Sequence, residues 1–314
     1  MEIQPINYET WFEDTKLIDR LLSKPNIQIV AIKESVIKNI LIDNQTNKAK
    51  VEIVKDNIRY RKQLLGLGLM DVKKQYKGSV LSWLWGIIRP AILIFTFWFA
   101  ITMGLRSGKP HNGYPFFLWL IAGMIPWYYM RDMISSGANC INKHSYLVTK
   151  IKFPIAVIPT FQSVSYMMVN MVLTAIMIVI YGLFGYAPDI YMLQLIFYYG
   201  LMFMFFTAWS LFASLFSIAS KDFLNLVRSL TQPLFWLSGI LYDATTIDIG
   251  WIRALLLFNP VTLMANGFRN SLVYHRWFWE VPNELRNFVL VYIVVALLAI
   301  WAYKRLKKVI PDVL

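Results

Sequence analysis

The stretch GLRSGKP at Gly104–Pro110 is the nearest approach in this chain to a phosphate-cradling loop. Such a loop needs GxxxxGK followed by Ser or Thr, whose hydroxyl binds the magnesium that accompanies a triphosphate. Here the spacing is one residue short and proline stands in the magnesium position, so nucleotide hydrolysis is expected from a partner chain. His111, His144 and His275 are far apart in sequence and Cys140 is the single cysteine, so neither zinc-type ligand spacing nor a disulfide pair is present. The carboxylates after residue 58 are scattered, and neither HExxH nor a nucleophile elbow occurs. These residues point away from catalysis: no bound metal, no cofactor and no enzymatic activity of the chain's own are expected.

What positions them is a membrane. Of 314 residues, 57% are hydrophobic and only 16% charged, against about a quarter charged in an ordinary soluble domain. The deficit lies in long uncharged runs, which bilayer-spanning helices explain better than one oversized core. A net charge of +13 could suggest nucleic acid. The basic residues, however, sit at the ends of apolar runs, as the positive-inside rule requires, and not on one polar face.

Residues 1–58 carry a net charge of −1 and differ from all that follows. They are read as a cytoplasmic extension, with the Ile/Val-rich runs Ile27–Ile32 and Asn39–Val54 and the turn-like DNQTNK (Asp43–Lys48) suggesting a β-hairpin packed on something else. No cleavable leader pattern occurs in Met1–Asn57, so the first span is expected to act as its own insertion signal. Residues 59–314 are read as one all-α, polytopic transmembrane domain. It begins with an interfacial helix at 60–77, whose stripe Leu65, Leu69, Val72 and Tyr76 lies beside Lys73, Lys74 and Lys77. Six spans follow: Leu84–Leu105, Tyr114–Met130, one inside Phe153–Pro188, one inside Ile190–Ser220, Phe223–Tyr242 and Asn287–Tyr303. Each is near the ~20 residues that cross ~30 Å of hydrocarbon. Lys143, Lys150, Lys152, Lys221 and the basic tail from Lys304 then fall on the same side as Arg59–Lys77, which puts both termini in the cytosol. Between spans five and six, Trp251–Phe258 and Val261–Val273 read as half-helices broken at Asn259–Pro260. Neither is long enough to span, and a re-entrant or interfacial placement fits them best. An ordinary external subdomain is the other reading.

Several segments together resemble the permeases of type-2 ABC exporters over residues 60–305. They are YKGSVLSWLWGIIRP (Tyr76–Pro90), NKHSYLVTKIKFP (Asn142–Pro154), Lys221–Asp222 and NPVTLMANGFRNSLVY (Asn259–Tyr274). Met103–Trp127 and the YHRWFWE ending (Tyr274–Glu280) look most like the teichoic acid translocation permeases of Gram-positive bacteria. O-antigen and capsular polysaccharide permeases are their near relatives. Met70 departs from the pattern, standing where relatives often carry Arg before Asp71, and Ser82 stands where Gly usually precedes Leu-Trp.

The resemblance implies a multi-pass protein of the bacterial cytoplasmic membrane, working as a homodimer with two separate cytosolic ATPase subunits that bind ATP and Mg. The loop at 138–153 would be the coupling helix that meets the ATPase, through Asn139, Asn142, Lys143, Tyr146, Leu147 and Lys150; the lysines also serve topology. The cargo would be a glycopolymer on an isoprenoid diphosphate. Arg89 and Arg228, near the inner ends of spans one and five, would hold its headgroup, or else simply snorkel. Phe95, Phe99, Trp127, Tyr128, Tyr129, Phe235, Trp236 and Tyr242 would line the path or form interfacial belts. The 243–286 region would be an outer gate hinged at Asn259 and Pro260. A drug or small-lipid exporter, a membrane-embedded transferase and an ion-coupled transporter are the competing classes. The last two lack the clustered or intramembrane carboxylates they need.

Overall fold

The computed structural model describes residues 47–75, 84–105, 108–307 and 309–310. The chain divides into two compact units, Met1–Lys50 and Val51–Leu314. Among the described residues the regular elements are all helices, without a strand. This corrects the expected hairpin in the part that can be described: residues 47–59 form a helix. A helix closes its own backbone hydrogen bonds, whereas a two-stranded hairpin is marginal in water. Ile27–Ile32 and the beginning of the expected turn lie outside the described residues.

The larger unit is a helical bundle. In chain order its main elements are α1 (Arg61–Gln75), α2 (Trp85–Phe99, continued by a π-turn Ala100–Gly104) and α3 (Phe116–Ser135). Two short pieces follow, α4 (Cys140–Lys143) and α5 (Ser145–Thr149). The rest comprises α6 (Ile158–Leu183), α7 (Gln194–Ala219), α8 (Lys221–Trp236), α9 (Gly250–Leu257), α10 (Pro260–Arg269) and α11 (Pro282–Leu306). Four helices are long and apolar enough to cross a membrane: Trp85–Gly104, Ile155–Leu183, Ile190–Ala219 and Pro282–Leu306. They correspond to expected spans one, three, four and six. Expected span two is α3, where Trp and Tyr side chains and the Arg131–Asp132 ion pair lower the hydropathy. Expected span five is α8, only 16 residues long and carrying Lys221, Asp222 and Arg228.

Burial explains the difference between these helices. α2 fully buries only Pro90 and Ile94, packs Ile87, Phe97 and Trp98 partly against the core, and exposes Ile92, Leu93, Phe95 and Phe99. α3 is buried along nearly its whole length and packs against α6, α7, α8 and α10. A helix enclosed by protein can carry phenols and indoles because its neighbours meet their polar atoms. Tyr181 Oη donates to the Leu118 carbonyl at 2.8 Å, and Asn170 Nδ2 donates to that of Ile125 at 2.7 Å. Asn170 Oδ1 in turn accepts from Tyr199 at 2.8 Å.

α1 turns part of its apolar stripe away from the protein. Leu65 and Leu69 are 58% and 50% exposed, and the face turned to protein carries Gly68 and Asp71. A Cβ on Gly68 would meet Val164 Cγ1 at 3.0 Å, so glycine is what brings α1 against α6. The apolar stripe is present but left for lipid rather than packed on the bundle, which suits a helix at headgroup level. Tyr76 and Lys77 lie outside the described residues. α9 and α10 confirm two short helices with their break at Asn259–Pro260. Asn259 caps α10 by accepting from Val261 N at 3.0 Å, and Pro260 takes the first helical position, where its missing N–H costs nothing.

Candidate coupling site and translocation surface

The loop after α3 is built in two layers. Its inner layer is apolar and closely fitted. Ala138, Cys140 and Ile141 are fully enclosed, and Leu147 and Val148 are buried. Gly137 lies directly against Ser210 of α7, with no room for a Cβ. Its outer layer exposes Asn142, Lys143, Tyr146, Thr149 and Lys150. Lys74 of α1 adds a cation, its Nζ 5.7 Å from the Tyr146 ring. Of the six residues expected to meet a partner, four therefore share one basic and aromatic surface. Asn139 is half-buried and accepts a hydrogen bond from Asn142 at 3.3 Å. Leu147 points inward, so it anchors the loop and offers nothing to a partner.

Burial pushes the Cys140 thiol up to about 12, so little thiolate exists at neutral pH. We expect no maleimide labelling of the folded protein, and complete labelling once it is denatured. Rapid labelling of the native protein would mean that the inner layer opens.

Beneath the loop lies a polar cluster around Asp71, a carboxylate only 4% exposed. Its Oδ1 faces Lys143 Nζ at 3.1 Å and His144 Nε2 at 3.4 Å. Its Oδ2 accepts from Gln162 Nε2 at 2.8 Å, Ser165 Oγ at 2.9 Å and Gln75 Nε2 at 2.9 Å. Burial raises this carboxyl's pKa, but the bond to His144 and the charge of Lys143 outweigh it, so the group is held well below the ordinary value of 3.8. Its stabilising contribution is thus complete above the ordinary carboxylate range and is lost only as acid drives the pH down through the lowered value. The sequence reading missed Asp71 and His144. One signal was available: Asp71 is the only acid in the otherwise basic Tyr60–Lys77.

The residues proposed for the translocation path separate into two groups. Phe95, Phe99 and Trp236 are exposed, Tyr242 is half-buried, and Arg89 and Arg228 are both on the surface. Arg89 Cζ lies 5.5 Å from the Trp85 ring. Trp127, Tyr128, Tyr129 and Phe235 are instead buried in the bundle. Tyr128 donates to the Pro90 carbonyl at 3.1 Å, Tyr129 shares a 2.7 Å hydrogen bond with Ser163, and Trp127 packs on Phe235 at 5.4 Å. The two phenols hold α3 to α2 and α6, a use that aromatic composition alone does not distinguish from lining a wet passage.

Near the α9–α10 break, Asn259 also donates from Nδ2 to Ser238 Oγ at 2.8 Å, tying the break to the end of α8. At the other end of α10, Arg269 is 1% exposed. It donates from Nη1 to Gly239 O at 2.7 Å and from Nη2 to Ile240 O at 2.5 Å, and lies 3.4 Å over the Trp119 ring. No spacing in the sequence marks it.

Residues 62–273 match the family described as ABC-2 type transporter. The chain is also similar to an O-antigen export system permease protein RfbA of Myxococcus xanthus, 25% identical over 228 residues, covering 72% of this chain and 86% of the relative. Two proteins of the same description from Klebsiella pneumoniae are 24% and 21% identical, over 210 and 211 residues. The first of these alignments covers 63% of this chain and 75% of the relative, and the second 64% and 76%.

Proposed function

Because the chain belongs to the ABC-2 type transporter family, we propose that it is the permease subunit of an exporter that moves a lipid-linked cell-surface glycopolymer across the cytoplasmic membrane. It would act as a homodimer with two cytosolic ATPase subunits, which bind the ATP and Mg. In this reading α3 and α8 join the four long helices to give six spans, both termini are cytosolic, and α9 and α10 re-enter the outer leaflet as a gate hinged at Asn259 and Pro260.

The observation that carries the coupling part is the two-layered loop: a basic, aromatic outer face on a rigidly seated base. Tyr146 supplies an anchor and Asn142, Lys143 and Lys150 a polar rim, the composition of an interface hot spot. A seated base transmits a partner's rigid-body movement to the spans instead of absorbing it. With Trp127, Tyr128, Tyr129 and Phe235 occupied in the core, the path would run over the exposed face bearing Phe95, Phe99 and Trp236, where a second copy closes it. For the cargo, Met103–Trp127 and Tyr274–Glu280 favour teichoic acid. The names of the relatives favour O-antigen as a second reading.

The test is reconstitution with the cognate ATPase in lipid vesicles. Polyprenyl-diphosphate glycans are expected to stimulate ATP hydrolysis where unrelated lipids do not, and the teichoic and O-antigen forms compete directly in the same assay. Stimulation by a drug or a simple phospholipid alone would overturn the glycopolymer reading. Arg89→Ala is expected to reduce export about tenfold, the scale of one lost charge-assisted hydrogen bond, while the complex still assembles. Unchanged export would remove Arg89 from the headgroup site.

A further inference from the structure

We propose that Asp71 is the positioning residue of the coupling loop, locking α1, the α4–α5 junction and the start of α6 into one mechanical unit. This rests on the ATPase-coupling reading above and adds to it a residue with no place on the docking face.

The three segments are remote in sequence: Lys143 and Ser165 lie 72 and 94 positions from Asp71. Their meeting point is a single buried carboxylate. An ionised carboxylate offers about four lone-pair directions, and five polar groups already converge on this one. The tie matters most to α1, whose Leu65 and Leu69 face outward and whose protein-facing side holds Gly68 and Asp71 beside the half-buried Leu64, Leu67 and Val72. None of those three apolar side chains is fully buried, so the polar cluster adds a tie to a thin hydrophobic seam.

On the loop side the contacts fall where α4 ends and α5 begins. His144 spans the junction: Nδ1 faces the Cys140 carbonyl at 2.9 Å, Nε2 faces Asp71, and its ring packs edge-on against Phe161 at 4.9 Å. Lys143 is still 35% exposed along its side chain while its ammonium reaches inward to the carboxylate. A partner pressing on Lys143 and Tyr146 therefore presses on groups tied directly to α1 and α6. Without the carboxylate the loop keeps its apolar seat on α7 and the packing of His144 on Phe161 of α6, but loses its charged tie to α1 and the polar bonds to Gln162 and Ser165. Its displacement would then reach α7 without α1 following.

Asp71→Asn preserves shape and removes the charge, and two measurements on the full-length permease decide the matter. In hydrogen–deuterium exchange of the purified permease, amides of residues 140–149 are expected to exchange on the order of tenfold faster, while α7 and α11 keep their protection. In vesicles with the ATPase, the complex still assembles and hydrolyses ATP, but glycan exported per ATP falls on the order of tenfold. A residue needed only for folding would lower both activities together and leave their ratio unchanged. If Asp71→Asn does not accumulate, His144→Gln breaks the same contact from the loop and is expected to give the same two changes. Unchanged exchange in 140–149 overturns the positioning role, and looser exchange with an unchanged ratio overturns its part in coupling. If the wild-type complex exports no glycan, that failure falls on the proposed function, and the exchange measurement still decides whether Asp71 positions the loop.

Discussion

Arg269→Ala is expected to cost the detergent-solubilised protein about 4 kcal/mol, the sum of two charge-assisted hydrogen bonds of ~2 kcal/mol each. The guanidinium is enclosed by α3, α10 and the turn after α8, and its fork meets two successive carbonyls, those of Gly239 and Ile240. Alanine leaves both acceptors without a donor and the Trp119 face without a cation. Gly123 adjusts to the same group: a Cβ there would stand 2.5 Å from Arg269 Nη2. Arg269→Lys keeps the charge but has no planar fork to reach both carbonyls, so it should recover only part of the loss. Thermal unfolding followed by size-exclusion chromatography measures this. A midpoint for Arg269→Ala within a degree or two of wild type would show that the carbonyls find other partners and that Arg269 is no staple.

The second large effect comes from adding atoms. Gly267 of α10 lies flat on the ring of Tyr198 in α7, where a new Cβ would overlap the ring, meeting Cδ1 and Cζ at 2.5 Å. The ring is 1% exposed and packs on Phe197 at 5.5 Å, so it has nowhere to swing. Glycine to alanine within a helix normally gains ~1 kcal/mol. Here overpacking of up to ~3 kcal/mol reverses the sign, so Gly267→Ala should lose about 2 kcal/mol and Gly267→Val more. The diagnostic comparison is the double variant Gly267→Ala/Tyr198→Ala, whose loss should be smaller than the sum of the singles because the methyl enters the space left by the ring. Additive losses would place the cost of Gly267→Ala elsewhere.

Both groups were invisible to pattern reading, for a physical reason. In the sequence Arg269 and Gly267 are two residues of the half-helix Val261–Val273, with no spacing that marks either. Their roles arise from α3, α7 and the turn after α8, segments 29 to 150 residues distant in the chain that only packing brings together. Asp71 was half legible, as the lone acid in a basic helix. That it is buried, and that His144 and Lys143 turn toward it, depends on which side of α1 meets α6. The stripe with Leu65 and Leu69 did not decide this, because periodicity locates an apolar face without saying whether lipid or protein covers it.

By itself the sequence determined the helical class, the places where long apolar runs begin and end, the break at Asn259–Pro260 and the loop rich in cations. These follow from backbone hydrogen bonding, proline geometry and the cost of charge in hydrocarbon, all of which act within a few residues. The tertiary structure alone decided which aromatic rings are core, which way α1 faces and which buried ions are paired. Those outcomes depend on the neighbours that enclose each side chain, and no local spacing encodes them.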